Sequence, residues 1–400
     1  MSFPATPSRT SYDVVIVGGA IMGSSTAWWL AELGFTGSIL VVERDPSYAA
    51  CSSTHTNSCI RQQFSDPLNI RMSQFTVEFI RNFRERIGDT RVPEIQLNSF
   101  GYLYLADNEG FASALRATQK VQEDCGAGTR ILTPEEILAE YPFYNMDGIL
   151  LGSLNTRDEG YWDGGTVFEW FRRAARDRGA EYVANEVVAM GRTGGRIDSV
   201  TLASGEVIAC GTVVNASGPR AARTATMAGI ELPVEPRKRY SWVFTCPTPL
   251  GRDLPLTIDP SGVHVRQDGP TTFLAGCPAD PDPAVDPTDF QMDPARWEDF
   301  VWPMIATRVP AFERTRIVNE WAGHYAYNTL DQNAICGPHP EVGNFLFLNG
   351  FSGHGLQQSP AMGRGTAEWI LHGDYRALDL RPFWFDRIAA GRPMLETAII

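Results

Sequence analysis

The decimer VVIVGGAIMG, residues 14–23, decides the fold. Val14 to Val17 form an unbroken apolar, β-branched run that stops at Gly18, the pattern of a strand buried on both faces. Residues Ala20 to Leu33 contain no proline and end at Gly34, which predicts a helix, and Ile39 to Val42 give a second apolar run. Asp45 and Pro46 close the unit. Strand, Gly-rich turn, helix and strand therefore follow one another. The turn lies where backbone amides and a helix N-terminus can receive a pyrophosphate. Gly18 permits the tight turn. Ala20 stands where the strict fingerprint has glycine, and Gly23 with Ala27 gives the helix a small-residue face for packing on the strands. Glu43, 20 residues past Gly23, ends the second strand, where a carboxylate can accept both hydroxyls of an adenosine ribose. Alone, the glycines would describe an ordinary tight turn; the ordered set predicts a dinucleotide site. Arg44 would suit a 2′-phosphate but Glu43 would repel one, and the residues themselves leave FAD and NAD both open.

Composition narrows the class. In 400 residues, 43% are apolar and 20% charged, the balance of an ordered globular chain. A net charge of −13 argues against a phosphate-backbone surface, so nucleic acid is not an expected partner. The seven cysteines are scattered, without a CxxC pair, which disfavours a disulfide framework or a structural metal. The opening MSFPATPSRT has no apolar run, and no segment reaches the roughly 18 apolar residues of a membrane span. The expected compartment is cytoplasmic.

Outward from the first unit, Phe75 to Arg86 has helical spacing, SFGYLYLA (99–106) reads as a strand, and 135–141 and 166–178 read as helices. Glu181 to Met190, 200–202 and 207–209 read as a strand meander, and Val213–Val214 run into NASGP, a strand ending in a turn. Short strands and prolines fill 231–322 around a helix near 296–307, and a strand at 345–348, the turn GFSGHG and a helix from Leu356 to Leu371 follow. The expected architecture is α/β plus α+β: a Rossmann-like domain from 1–90, 145–228 and 322–400, and a substrate domain from 91–144 and 229–321.

The motifs GGAIMGSS, VVER, VVNASGP, LPVEPRKRY, WAGHYAYNTLDQNAICGPHP and GFSGHGLQQSP together resemble the D-amino-acid oxidase superfamily of FAD-dependent oxidoreductases. The resemblance is nearest its sarcosine oxidase-like, dimethylglycine dehydrogenase-like and FAD-dependent oxidoreductase domain-containing members. It covers nearly the whole chain, and it implies FAD and a two-domain fold in which an antiparallel sheet of the substrate domain covers the flavin. On that resemblance Gly18, Ala20, Gly23, Glu43 and Arg44 bind the ADP part, with Ser52, Ser53 and Thr54 near the pyrophosphate, Val187 near the adenine and Gly218 in the turn beside the nucleotide. Gly353, His354, Gly355, Leu356 and Gln357 lie along the flavin, where a helix N-terminus stabilises negative charge.

The resemblance also matches Arg61, in IRQQFSDP, to the arginine that holds a substrate carboxylate, a task suited to a planar guanidinium. The rival assignment is an ordinary ion pair. Arg237, Lys238, Arg239 and Arg266 are secondary cations, of which one is expected to contribute. His324 stands where some relatives carry a cysteine linked to the flavin, so that bond is not expected and the flavin is expected to be noncovalent; His55 is the alternative attachment point. His264 and Tyr325 are candidates to face the substrate. Gln357 occupies the place of a lysine that promotes reaction with oxygen, which leaves O2 or another electron acceptor open. The expected activity is oxidation of a secondary or N-substituted amino acid resembling sarcosine, dimethylglycine or iminodiacetate. The alternative is an FAD-binding assembly or chaperone factor without amine turnover.

Overall fold

The computed structural model describes residues 3–397. The run of β-branched residues becomes the strand Ser11–Val17, paired in parallel with Ile39–Glu43 on one side and Val207–Asn215 on the other. Phe345–Asn349 and Glu181–Ala184 extend the parallel set at its two edges. Val207–Asn215 forks: its first half pairs antiparallel with Arg196–Leu202, its second half in parallel with Phe345–Asn349. The helix Ile21–Glu32 is buried from Ile21 to Leu30 because it is covered on more than one side. Helices Gly164–Asp177 and Gly355–His372 pack against it. A Cβ at Gly363 would run into the Ser25 side chain, and Ser25 Oγ donates to the Ser359 carbonyl at 2.8 Å, so these two helices touch backbone to backbone.

The second sheet has eight strands, in the order 316–328, 234–245, 272–278, 264–267, 256–258, 102–106, 151–155 and 130–132. Trp242, Phe244, Phe273, Trp297 and Phe312 fill its core, where aromatic burial supplies the main driving force. Its long strands Val234–Thr245 and Arg316–Asn328 run antiparallel, placing Lys238 opposite His324 and Arg239 opposite Gly323.

Several elements differ from expectation. The helix expected from Phe75 begins at Pro67, because Asp66 accepts from Leu68 N at 2.8 Å and Pro67 suits the first helical turn. The helix Glu109–Asp124 was not anticipated; its inward positions include Thr118 and Gln122, which blur the apolar periodicity. The strand expected over 181–190 divides at Asn185, whose N–H donates to the Glu43 carbonyl at 3.0 Å. Leu151–Asn155 and all of Arg316–Asn328 lie in the second sheet, although 145–228 and 322–400 were assigned to the nucleotide domain. Among the described residues the cysteines are free thiols, no group of His, Cys, Asp and Glu is arranged to hold a metal, and no helix is long and apolar enough to cross a membrane.

Candidate active site

One cavity is lined at once by the Gly18 turn, by Glu43 and Arg44, by residues 50–53 and 55–57, by Arg61, by strands of the second sheet and by Gly353–Gln357. Gly18 has φ of +100°, and a Cβ there would meet the Ala216 carbonyl oxygen at 2.5 Å, so the turn sits hard against the segment after Asn215. Gly23 lies beneath the turn rather than on the cavity; its own Cβ would strike the Gly18 carbonyl. Glu43 accepts from Gly19 N at 2.9 Å and from Asp45 N at 2.8 Å, one bond per carboxylate oxygen. Burial pushes its pKa up, opposed by those two backbone bonds. Each oxygen keeps capacity for another donor.

Two helices begin at this cavity without a side-chain cap and without an acidic residue in the first turn: Ile21–Glu32 and Gly355–His372. Their leading N–H groups and partial positive charge are suited to anionic ligand groups. At the first helix, Ile21 N donates to Ser53 Oγ at 3.3 Å. Arg44, Ser52, Ser53, Val187 and Gly218 all line the cavity, as do Ala20 and Leu356. Ser52 Oγ donates to the His324 carbonyl at 2.6 Å, joining the loop to the second sheet. Thr54 is the exception among the expected loop residues. It does not line the cavity, and its hydroxyl donates to the Tyr48 carbonyl at 2.8 Å and the Cys51 carbonyl at 3.0 Å, folding the loop on itself.

On the other side, Arg61 is 2% exposed. Its Nη1 donates to the Gln63 carbonyl, its Nη2 donates to His354 Nε2 at 2.9 Å, and its guanidinium lies 4.0 Å from the Phe64 ring centre. Among the described residues no carboxylate forms an ion pair with it. A buried cation with neutral partners is costly unless an anion arrives. His354 is kept neutral by burial and by the adjacent Arg61, which hold its pKa well below the ordinary range. The backbone N–H of Arg61 donates to Gln357 Oε1 at 2.9 Å, so Gln357 is pinned from the same residue.

His264 faces the cavity with Nε2 at 2.7 Å from Asn57 Nδ2 and with a buried Nδ1 that has no partner. Burial, reinforced by Arg266 and Arg239, lowers its pKa to about 4. Tyr325 packs on Gly353, where a Cβ would meet its ring at 2.5 Å. His324 lines the cavity, but its Nε2 is held at 2.7 Å by the Asp289 carbonyl and its ring lies over Phe290 at 4.3 Å. His55 also lines it, with Nδ1 at 3.1 Å from the Cys51 carbonyl.

The secondary cations divide. Lys238 pairs with Asp289 at 2.8 Å, Arg266 with Asp268 at 2.8 Å and Arg237 with Glu235 at 3.1 Å, none of them lining the cavity, whereas Arg239 does. Sequence reasoning missed Asn57, hidden in a Ser/Thr-rich loop, and Glu159. The Glu159 carboxylate is fully buried and accepts from Gln62 N at 2.6 Å, Gln63 Nε2 at 3.0 Å and Asn155 Nδ2 at 2.8 Å. It thereby fixes the turn whose Gln63 carbonyl grips Arg61. No periodicity marks NTRDEGYW, so nothing local points to it.

The residues present fit a bound dinucleotide. The left-handed Gly18 turn, the two uncapped helix starts and the backbone-held Glu43 are what pyrophosphate and ribose require. Comparison with known proteins agrees. A family described as FAD dependent oxidoreductase matches residues 13–369. The chain is 39% identical to FAD-dependent oxidoreductase domain-containing protein 1 of Xenopus laevis, covering 97% of this chain and 85% of that protein. It is 26% identical to the mitochondrial sarcosine dehydrogenase of Mus musculus, over 95% of this chain but 42% of that larger protein. The crystal structure of L-proline dehydrogenase from P. horikoshii superposes with a TM-score of 0.81 at 26% identity, covering 96% of this chain and 99% of that one. A dinucleotide turn, a second uncapped helix start on the same cavity and these matches lead to one conclusion: the chain belongs to the FAD dependent oxidoreductase family, and its cofactor is FAD.

Proposed function

We propose that the protein oxidises a secondary or N-substituted amino acid of the sarcosine, dimethylglycine or iminodiacetate kind. The observation that carries this reading is Arg61, a buried guanidinium facing the cavity with neutral partners only. FAD held by the Gly18 turn, Glu43 and Gly353–Gln357 would supply a two-electron oxidising centre, able to accept at N5 a hydride equivalent from the carbon beside the amine nitrogen and to leave an imine that water would split into a carbonyl compound and a smaller amine. Arg61 binds the substrate carboxylate with its remaining N–H groups and so orients the adjacent C–H bond. Phe64 and Tyr104 wall the guanidinium from water, which strengthens its hold on an anion. His264 stays neutral at physiological pH and offers its unpartnered Nδ1 to a polar group of the substrate.

Support also comes from relatives whose names state the oxidation of secondary amino acids, sarcosine and L-proline. The Gln357 side chain carries no charge, and this favours an electron acceptor other than O2. Anaerobic mixing of the yellow protein with N-alkyl amino acids is the test. Bleaching of the flavin absorbance by sarcosine, dimethylglycine or a close analogue is the expected result. A flavin that no amine bleaches would leave an FAD-binding assembly factor as the reading.

A further inference from the structure

Arg239 is the second guanidinium on the substrate side of the cavity, and its charge is cancelled. Nη1 and Nη2 donate to the two oxygens of Asp282 at 2.8 and 3.0 Å, a bidentate fork, while the guanidinium lies 4.6 Å from the Tyr325 ring centre. Asp282 comes from the stretch 279–295, whose only β pairing is a bridge from Ala284 to Arg237. That stretch is fixed over the second sheet by Val285 N donating to the Pro236 carbonyl at 2.9 Å and by the Lys238–Asp289 pair. Its Pro287 lines the cavity. Arg237 also approaches Asp282, at 3.7 Å, but already has Glu235 at 3.1 Å.

Arg61 and Arg239 belong to one neighbourhood. Both guanidiniums pull down the pKa of the Tyr325 hydroxyl, against the burial that raises it. His264, His354 and His324 nearby are held neutral by burial. Of the two guanidiniums that line the substrate side, Arg239 is paired directly with a carboxylate and Arg61, among the described residues, is not. A second carboxylate on the substrate would find Arg239, the other guanidinium on that side of the cavity, already occupied by Asp282, and burying an unpaired anion there is unfavourable.

We infer that Asp282 is a specificity-determining residue: by cancelling Arg239 it restricts the site to N-alkyl amino acids with a single carboxylate and turns dicarboxylic ones away. Resting on the reading of Arg61 as the carboxylate holder, it selects sarcosine- and dimethylglycine-like substrates over iminodiacetate.

Two ethers that cannot lose a hydride from an amine carbon probe this directly. Methoxyacetate mimics sarcosine, and diglycolate mimics iminodiacetate. Their dissociation constants are read from calorimetry and from perturbation of the flavin absorbance in the FAD-loaded protein at fixed ionic strength. The wild type is expected to bind methoxyacetate at least about tenfold more tightly than diglycolate, since one extra unpaired charge is at stake. Asp282→Asn should move that ratio about tenfold or more toward diglycolate, and the double variant Asp282→Asn with Arg239→Gln should restore it. A wild type that prefers diglycolate overturns the inference with no variant needed. So does a folded, FAD-loaded Asp282→Asn protein with an unmoved ratio while methoxyacetate still binds. If neither ether binds the wild type, the carboxylate reading of Arg61 falls, and this inference with it.

Discussion

Arg61 Nη2 donates to His354 Nε2 across 2.9 Å, and His354 is the residue that precedes the helix Gly355–His372. Acceptance at Nε2 places the imidazole proton on Nδ1 and leaves the ring neutral. The proposed carboxylate holder and the start of the helix Gly355–His372 are thus one hydrogen-bonded unit.

Replacing Arg61 tests that unit. Loss of a charge-assisted pair shielded from water costs about 2–5 kcal/mol. Arg61→Ala should therefore weaken substrate capture by well over tenfold, and Arg61→Lys should recover only part, because a lysine lacks the planar fork. The check is the anaerobic flavin reduction rate against substrate concentration, with FAD content measured alongside. Unchanged saturation in Arg61→Ala would move carboxylate binding elsewhere.

Gly18→Val combines two penalties. The backbone at φ of +100° disfavours any side chain, and the new Cβ meets the Ala216 carbonyl at 2.5 Å. Strain of roughly 1–3 kcal/mol is expected, together with loss of the phosphate turn. The purified variant should be colourless or substoichiometric in FAD; full occupancy would show that the turn does not hold the cofactor.

Glu159 gives a pH signature. Burial raises its pKa from 4.5 to about 7, although its hydrogen bonds and Arg61 pull the other way. The folded state then holds a proton that the unfolded state releases. The stability this contributes is complete below the unfolded value and is lost as pH rises through about 7, a change of roughly 3 kcal/mol. Glu159→Gln removes that dependence. Urea denaturation at about pH 5 and about pH 8 should show the wild type losing ground against the variant at the higher pH. An equal difference at both values would mean that Glu159 does not titrate between them.

His324 Nε2 is engaged by the Asp289 carbonyl, and the cysteine that attaches flavin in some relatives is absent at that position. Acid precipitation should therefore release all the yellow colour into the supernatant. Colour in the pellet would make His55→Ala, followed by peptide mapping, the next experiment.

The dinucleotide half was legible because its chemistry is local. A left-handed glycine, a β-branched run and a terminal acid declare themselves within residues 14–43. The substrate half was not, because its contacts join distant segments: Arg61 meets His354 across 293 residues of chain, and Asn57 meets His264 across 207. Arg61 was singled out by resemblance, since nothing in its own neighbourhood distinguishes it from a surface cation. The four secondary cations were seen as a group, but only the placement of Asp282, Asp289, Asp268 and Glu235 shows which are neutralised. The helix Glu109–Asp124 escaped notice because the polar Thr118 and Gln122 share its inward face with Ala112 and Leu115.

The hydrogen bond from the Ser25 hydroxyl to the Ser359 carbonyl has a consequence for how the protein is made. The phosphate turn and its helix lie within residues 14–43, yet the helix that packs on them begins at Gly355. Until that late segment docks, the early helix lacks a neighbour and the cavity lacks a wall. Capture of FAD therefore waits on the docking of the segment from Gly355, since without it the cavity lacks the wall that Gly353–Gln357 supply.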